Sequence, residues 1–148
     1  MKKNVKQIIA ACVMATSMVT AAQAADVACP GADAIKGSVR ALNTVMRQSE
    51  TGFFVLTAQP ALNESGHSWI VLSQTKGKGF DAAFANGQSD VKSVTAAAMQ
   101  NAVEMQGALI CAYFTTSGGM GVMAVSPQQQ GITFNPTLLK LDTLKIKN

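Results

Sequence analysis

The residues able to do chemistry are few and widely spaced. The chain carries one histidine, His67, standing after Ser65-Gly66 at the head of an apolar run. As a general base it would need a nucleophile within hydrogen-bond reach, and the sequence has no G-x-S-x-G elbow to present a serine. A small hydrolase acting through His67 is one reading; a histidine on an edge strand is the plainer one. Zinc needs three or four N, S or carboxylate ligands, and no cluster with ligand spacing occurs. The acidic residues stand singly, which gives a paired-carboxylate hydrolase no support. Lys76-Gly77-Lys78-Gly79 and Ser117-Gly118-Gly119-Met120-Gly121 are glycine-bearing, but neither has P-loop spacing or opens a helix. Both read as turns between strands. Asn63-Glu64-Ser65 matches a glycosylation sequon and marks Pro60–Gly66 as an exposed loop. Met99, Met105, Met120 and Met123 read as adaptable core filler, with a methionine-lined ligand pocket as the sharper alternative.

The cysteines depend on compartment. Residues 1–24 have the three parts of a secretory signal peptide: Lys2, Lys3 and Lys6, then the apolar Ile8–Val19, then Ala22-Gln23-Ala24 before the cut. The apolar part is too short to span a bilayer stably. Ile9-Ala10-Ala11-Cys12 has the look of a lipoprotein box, but it would leave almost no apolar segment after Lys6. The expected product is an exported chain, periplasmic or secreted, with no integral membrane span after cleavage. It keeps nine basic and eight acidic groups, so the basic pI of about 9.1 belongs mainly to the leader and is no nucleic-acid signature. Cys12 leaves with the leader. Cys29 and Cys111 remain, and in an oxidising compartment they read as one disulfide closing a loop of about 80 residues. Neither belongs to a C-x-x-C motif, and Cys111 sits among Leu109, Ile110 and Tyr113, as a buried structural sulfur does.

The elements that must position these residues centre on Gly107–Pro127. Two apolar runs, Ala108–Phe114 and Val122–Val125, flank a Ser/Gly cluster and predict a β-hairpin that Pro127 ends. Phe53–Ala58 and Ser68–Thr75 predict two further strands. Pro30–Gly37 predicts one or two helical turns closed by a glycine. Ser38–Arg47 fits strand or helix, with the balance towards strand. Val91, Val94, Ala98 and Ala102 recur at helical spacing behind Ser89 as N-cap and Asp90 in the first turn, which predicts a helix over Asp90–Ala102. Asn135-Pro136 opens either a short helix over Thr137–Leu144 or a tail strand. The expected fold is α+β, a single domain over 25–148 with a loosely packed tail at 131–148. It has one antiparallel sheet of four to five strands, one main helix and a disulfide-anchored N-terminal segment.

Each clear strand is apolar on both faces: Phe53 and Val55 alternate with Phe54 and Leu56, and Trp69 and Val71 with Ile70 and Leu72. A sheet wet on one side would alternate apolar with polar, so this one needs two covers. One helix supplies the first. The second falls to the anchored N-terminus, the Phe134–Ile146 tail, a second copy of the chain, or a ligand.

Several motifs together resemble a known group. A leader is followed by Cys29-Pro30, Trp69 on an apolar strand, Cys-x-Tyr at Cys111–Tyr113, and a Gly-containing turn into Ala124-Val125-Ser126-Pro127. This resembles a small family of exported proteins of unknown function from intracellular gammaproteobacteria, some of which carry a hemin-binding label. The resemblance covers roughly Cys29–Pro127. It implies a paired Cys29–Cys111, brings no catalytic residues, and adds hemin as a cofactor. Hemin iron takes His, Cys, Met or Tyr as axial ligand; with the cysteines bonded the candidates are His67, the methionines and Tyr113, with His67 preferred as near the surface and strongly coordinating, and Trp69, two residues on along a strand, as porphyrin wall. The expected function is an exported, non-enzymatic binding or interaction protein for a small hydrophobic ligand, hemin included, or for a protein partner. A self-associating envelope structural protein is the alternative.

Overall fold

The computed structural model describes residues 23–128. Within them the chain forms nine strands of one antiparallel sheet: β1 Gln23–Ala28, β2 Thr44–Arg47, β3 Gly52–Leu56, β4 Leu62–Glu64, β5 His67–Lys76, β6 Val94–Ala97, β7 Asn101–Met105, β8 Ala108–Thr115 and β9 Val122–Pro127. Two short α-helices, α1 Ala32–Gly37 and α2 Phe80–Lys92, and a 3-10 turn at Ser38–Ala41 complete the described part. The strand order is β1-β7-β8-β9-β5-β3-β2, with β4 also beside β5 and β6 also beside β8. The protein is therefore mostly β, and the expected α+β fold with four to five strands and one main helix is overturned.

Two tight turns account for much of the difference. Ser65-Gly66 and Gln106-Gly107 are two-residue hairpin loops in which both residues have positive φ, 54° and 75° in the first, 51° and 75° in the second. This left-handed pair matches the twist of flanking strands. The first turn folds Leu62–Glu64 back on β5, making a strand of what reads as a polar loop. The second pairs β7 with β8. Serine and glutamine are uncommon at such positions, so neither turn announces itself as Asn-Gly would.

The helix lies at Phe80–Lys92, nearly three turns upstream of Asp90–Ala102. Its buried positions are Ala83, Gly87 and Val91, a helical spacing carried mostly by residues with little or no side chain. Gly87 meets the sheet so closely that a Cβ there would stand 2.6 Å from Val55 Cβ. Val91 belongs to the last turn, while Val94 and Ala102 belong to β6 and β7, where pairing with β8 overrides the apparent helical period. Asp90 thus sits near the wrong end for the helix dipole. There its Oδ2 accepts a hydrogen bond from Ser73 Oγ at 2.9 Å, tying α2 to β5. Ser38–Arg47 divides into the 3-10 turn and β2.

The expectation of two buried faces holds. One face buries Val55, Trp69, Val71, Leu109, Cys111, Tyr113, Val122 and Ala124 together with Ile35 of α1 and Val91 of α2. The other buries Phe54, Leu56, Leu72, Ile110, Met123 and Val125, with Met105 and the half-buried Met99 beside them. Both α1 and α2 pack on the first face. The Phe134–Ile146 tail and the 131–148 boundary lie outside the described residues, as does all of the leader except Gln23 and Ala24. Those two residues form the start of β1, opposite Glu104 and Val103. Among the described residues no helix is long and apolar enough to cross a membrane.

The N-terminal segment is pinned to the first face at several points. Cys29 is disulfide-bonded to Cys111, 82 residues on. The Cys29 amide donates to Gln100 O at 3.1 Å. The Tyr113 hydroxyl donates to Pro30 O at 2.8 Å inside the core. The Gly31 amide donates to Glu64 Oε2 at 3.1 Å. Burial pushes the Tyr113 phenol above its ordinary range, and the Glu64 carboxylate pushes it further in the same direction. A raised acid pKa contributes stability that is complete below the unfolded value, near 10, and is lost as pH climbs past it. Tyr113 is the one tyrosine of the chain, so its ionisation can be followed alone by ultraviolet absorbance. The native protein is expected to keep the phenol protonated at pH 10.5. Unfolding free energy should fall by about 1.4 kcal/mol per pH unit above about 10, relative to Tyr113→Phe. An ordinary phenol titration in the folded protein would contradict this.

Candidate functional site

His67 and Trp69 occupy the start of β5, beside the β4 hairpin. Trp69 is fully buried among the first-face residues. Its indole N–H donates to Glu64 O at 3.0 Å, and the half-buried His67 ring packs edge-on against it with centroids 6.2 Å apart. The two are brought together, but the indole faces are taken by the core and leave no wall for a porphyrin. Among the described residues no serine hydroxyl is hydrogen-bonded to His67; the neighbouring Ser68 Oγ donates instead to Asn63 Oδ1 at 2.7 Å. Cys111 is buried and bonded to Cys29, so its sulfur is structural. Among the described residues no three His, Cys, Asp or Glu side chains converge as a metal site would require.

A cleft of about 390 Å³ opens at the far end of the sheet. Three separate segments line it: Gln48, Ser49, Thr51 and Gly52 at the β2–β3 turn, Gln74, Thr75 and Lys76 at the end of β5, and Gly119, Met120 and Gly121 at the tip of the β8–β9 hairpin. They meet because β5 lies between β3 and β9, antiparallel to both, so the last residues of β5 lie beside the first of each neighbour.

The walls are fixed by short-range hydrogen bonds. The Gln74 amide N–H donates to Gly121 O at 2.8 Å, and the Gly77 amide donates to Thr51 O at 3.0 Å. At the β2–β3 turn the Gly52 amide donates to Ser49 Oγ at 2.9 Å. A Cβ at Gly52 would stand 2.6 Å from that oxygen, so any larger residue there would turn the Ser49 hydroxyl away from the Gly52 amide. Beside it Gln74 Nε2 donates to Gln48 Oε1 at 2.9 Å. At the third wall, Thr115 N–H donates to Gly119 O at 3.0 Å and Gly118 turns through a positive φ of 80°.

Chemically the cleft offers amides, hydroxyls, glycine backbone, one thioether and one ammonium. Lys76 is exposed, and among the described residues no carboxylate lies within ion-pair distance of it; the ion pair found there is Lys36 with Asp33. Among the described residues the lining holds no histidine, cysteine or carboxylate. Of the four methionines singled out from the sequence, Met99, Met105 and Met123 join the second-face core, and Met120 alone reaches this cleft. Ser117–Gly121 acts as a turn between β8 and β9, but Lys76–Gly79 runs from β5 into α2 with Gly79 as the helix N-cap, so the expected turn between strands that opens no helix fails there; Lys76 and Gly119–Gly121 both line the cleft. Their pairing follows from β5 lying against β9, which local sequence does not reveal. No family model matches the chain, and neither a curated protein nor a solved structure shows significant similarity to it.

Proposed function

We propose that the chain is an exported, non-enzymatic binding protein, and that the cleft between the β2–β3 turn, the end of β5 and the β8–β9 tip receives a small polar ligand bearing a negative charge. The leader sequence and the Cys29–Cys111 disulfide support export. The observation that carries the binding reading is the convergence of three rigid turns around Lys76, an ammonium without a carboxylate partner among the described residues. A cleft of about 390 Å³ lies in the range of small-molecule sites, roughly 300–1,000 Å³. Its residue types recognise oxygen-rich molecules: amides and hydroxyls serve as directional donors and acceptors, and the ammonium as a compact counter-charge. The hydrogen-bonding side chains of the lining favour a ligand bearing oxygens over the purely hydrophobic one expected from the sequence; hemin carries two propionates, but among the described residues Met120 is the one large apolar side chain here to meet its ring.

The test is a calorimetric screen of small sugar acids, carboxylates and phosphate esters on the oxidised chain from Ala25 onward. At least one is expected to bind saturably at one per chain, and Lys76→Glu, a surface change that should leave the fold intact, is expected to weaken it at least tenfold. Binding unaffected by Lys76→Glu, or no binder in these classes, would count against the reading.

A further inference from the structure

The side chain of Arg47, the exposed last residue of β2, lies in the angle between two phenylalanine rings. Its guanidinium carbon is 5.4 Å from the centroid of Phe53 and 5.4 Å from that of Phe80. The rings themselves meet edge to face, 5.5 Å apart and inclined at 69°. Phe53 is a fully buried residue of β3, opposite Arg47 in the register, so it is a fixed base. Phe80 opens α2 and is 52% exposed, the most exposed of the large apolar side chains in the described residues.

A guanidinium normally spends its N–H groups on carboxylates or carbonyls. Here the guanidinium carbon lies over two rings, and among the described residues none of its N–H groups donates a hydrogen bond. Asp81 follows Phe80 in the first turn of α2, and Glu50 lies on the turn after β2. Neither is within ion-pair distance of Arg47, while Lys78 adds a second cation two residues before Phe80. Stacking limits the rotamers of a long side chain, so less freedom remains to be lost when its fork meets an anion. A planar, exposed fork with unspent donors fits a carboxylate two oxygens at a time, and the half-exposed Phe80 ring beside it offers apolar contact.

We propose that Arg47, held between Phe53 and Phe80, is a recognition site for a carboxylate carried next to an aromatic or apolar group. The site lies beside the cleft rather than in it: Arg47 ends β2, and Gln48 of the cleft lining follows it. The acid could be a free small molecule or the C-terminus of a peptide, and the chemistry is the same.

Both sources can be tested on the oxidised, nitrogen-15-labelled chain by following the Arg47 Nε–H resonance during titration with benzoate and with N-acetylphenylalanine, against benzyl alcohol and phenyl phosphate. A saturable shift with either acid at millimolar concentration, absent with benzyl alcohol, is the expected result. Benzoate alone would assign a small acid, N-acetylphenylalanine a peptide terminus. Arg47→Lys keeps the charge but loses the fork and is expected to weaken binding about tenfold; there the Phe80 ring protons report it. Phe80→Ala should weaken it comparably, read at Arg47. No shift with either acid, equal affinity in Arg47→Lys, or a response to phenyl phosphate alone would overturn the proposal.

Discussion

Alanine at either Cys29 or Cys111 is expected to lower the unfolding free energy by about 4 kcal/mol, and alanine at both to lower it by no more than either alone. The bond joins positions 82 residues apart, and closing a loop of that size removes much conformational freedom from the unfolded chain. In the folded state it fastens the segment after β1 to the middle of β8, where Cys111 has no solvent exposure. The remaining attachments of that segment, the Tyr113 hydroxyl to Pro30 and the Glu64 carboxylate to Gly31, are single hydrogen bonds worth about 1 kcal/mol each. They cannot replace the covalent tie. Urea unfolding of the oxidised wild-type chain and the three variants measures this directly. Additive losses, near 8 kcal/mol for the double variant, would show the two sulfurs acting separately.

Gly87→Val is expected to cost about 3 kcal/mol, at the upper end of overpacking penalties. The helix α2 lies on β3 through Gly87, and a Cβ there would fall 2.6 Å from both Cβ and Cγ2 of Val55. These atoms belong to a fully buried, β-branched side chain near the middle of a strand, so it cannot swing aside. The helix must lift instead, and lifting it loosens Ala83 and Val91 and stretches the Ser73–Asp90 hydrogen bond. Replacing glycine within a helix gains back less than 1 kcal/mol of propensity for a β-branched residue. Shrinking the opposing side chain should relieve the overlap. Gly87→Val combined with Val55→Ala is therefore expected to be more stable than the sum of the single losses implies. A strictly additive double variant would mean the two residues do not meet.

How much of this was legible in the sequence differs from element to element. The Gly107–Pro127 hairpin could be read because long Val/Ile/Tyr/Phe runs on both sides of a Ser/Gly cluster have few other solutions. The Cys29–Cys111 pair followed from there being no other cysteine left beyond the leader. The need for two buried faces followed from strands without polar alternation, and both faces are indeed buried. Helix α2 was hidden because close approach to Val55 demands glycine and alanine at its contact positions, which removes the apolar stripe that marks a helix. Strands β4, β6 and β7 were hidden because they are short, half exposed or turned by Ser-Gly and Gln-Gly. Trp69 shares a face with His67, as strand parity requires, but parity does not say whether that face looks to solvent or to core. The cleft could not be seen at all, since Gln48, Lys76 and Met120 meet only through the pairing of β5 with both β3 and β9.

The most direct test of the binding account is to map where the tightest small anionic ligand sits, by amide chemical-shift changes on the oxidised chain. The account predicts the largest changes at Thr75, Lys76, Gly119, Met120 and Gly121, with the Gln48 and Gln74 side-chain amides moving together. Changes centred on the His67 hairpin, or scattered over the surface without saturation, would contradict it.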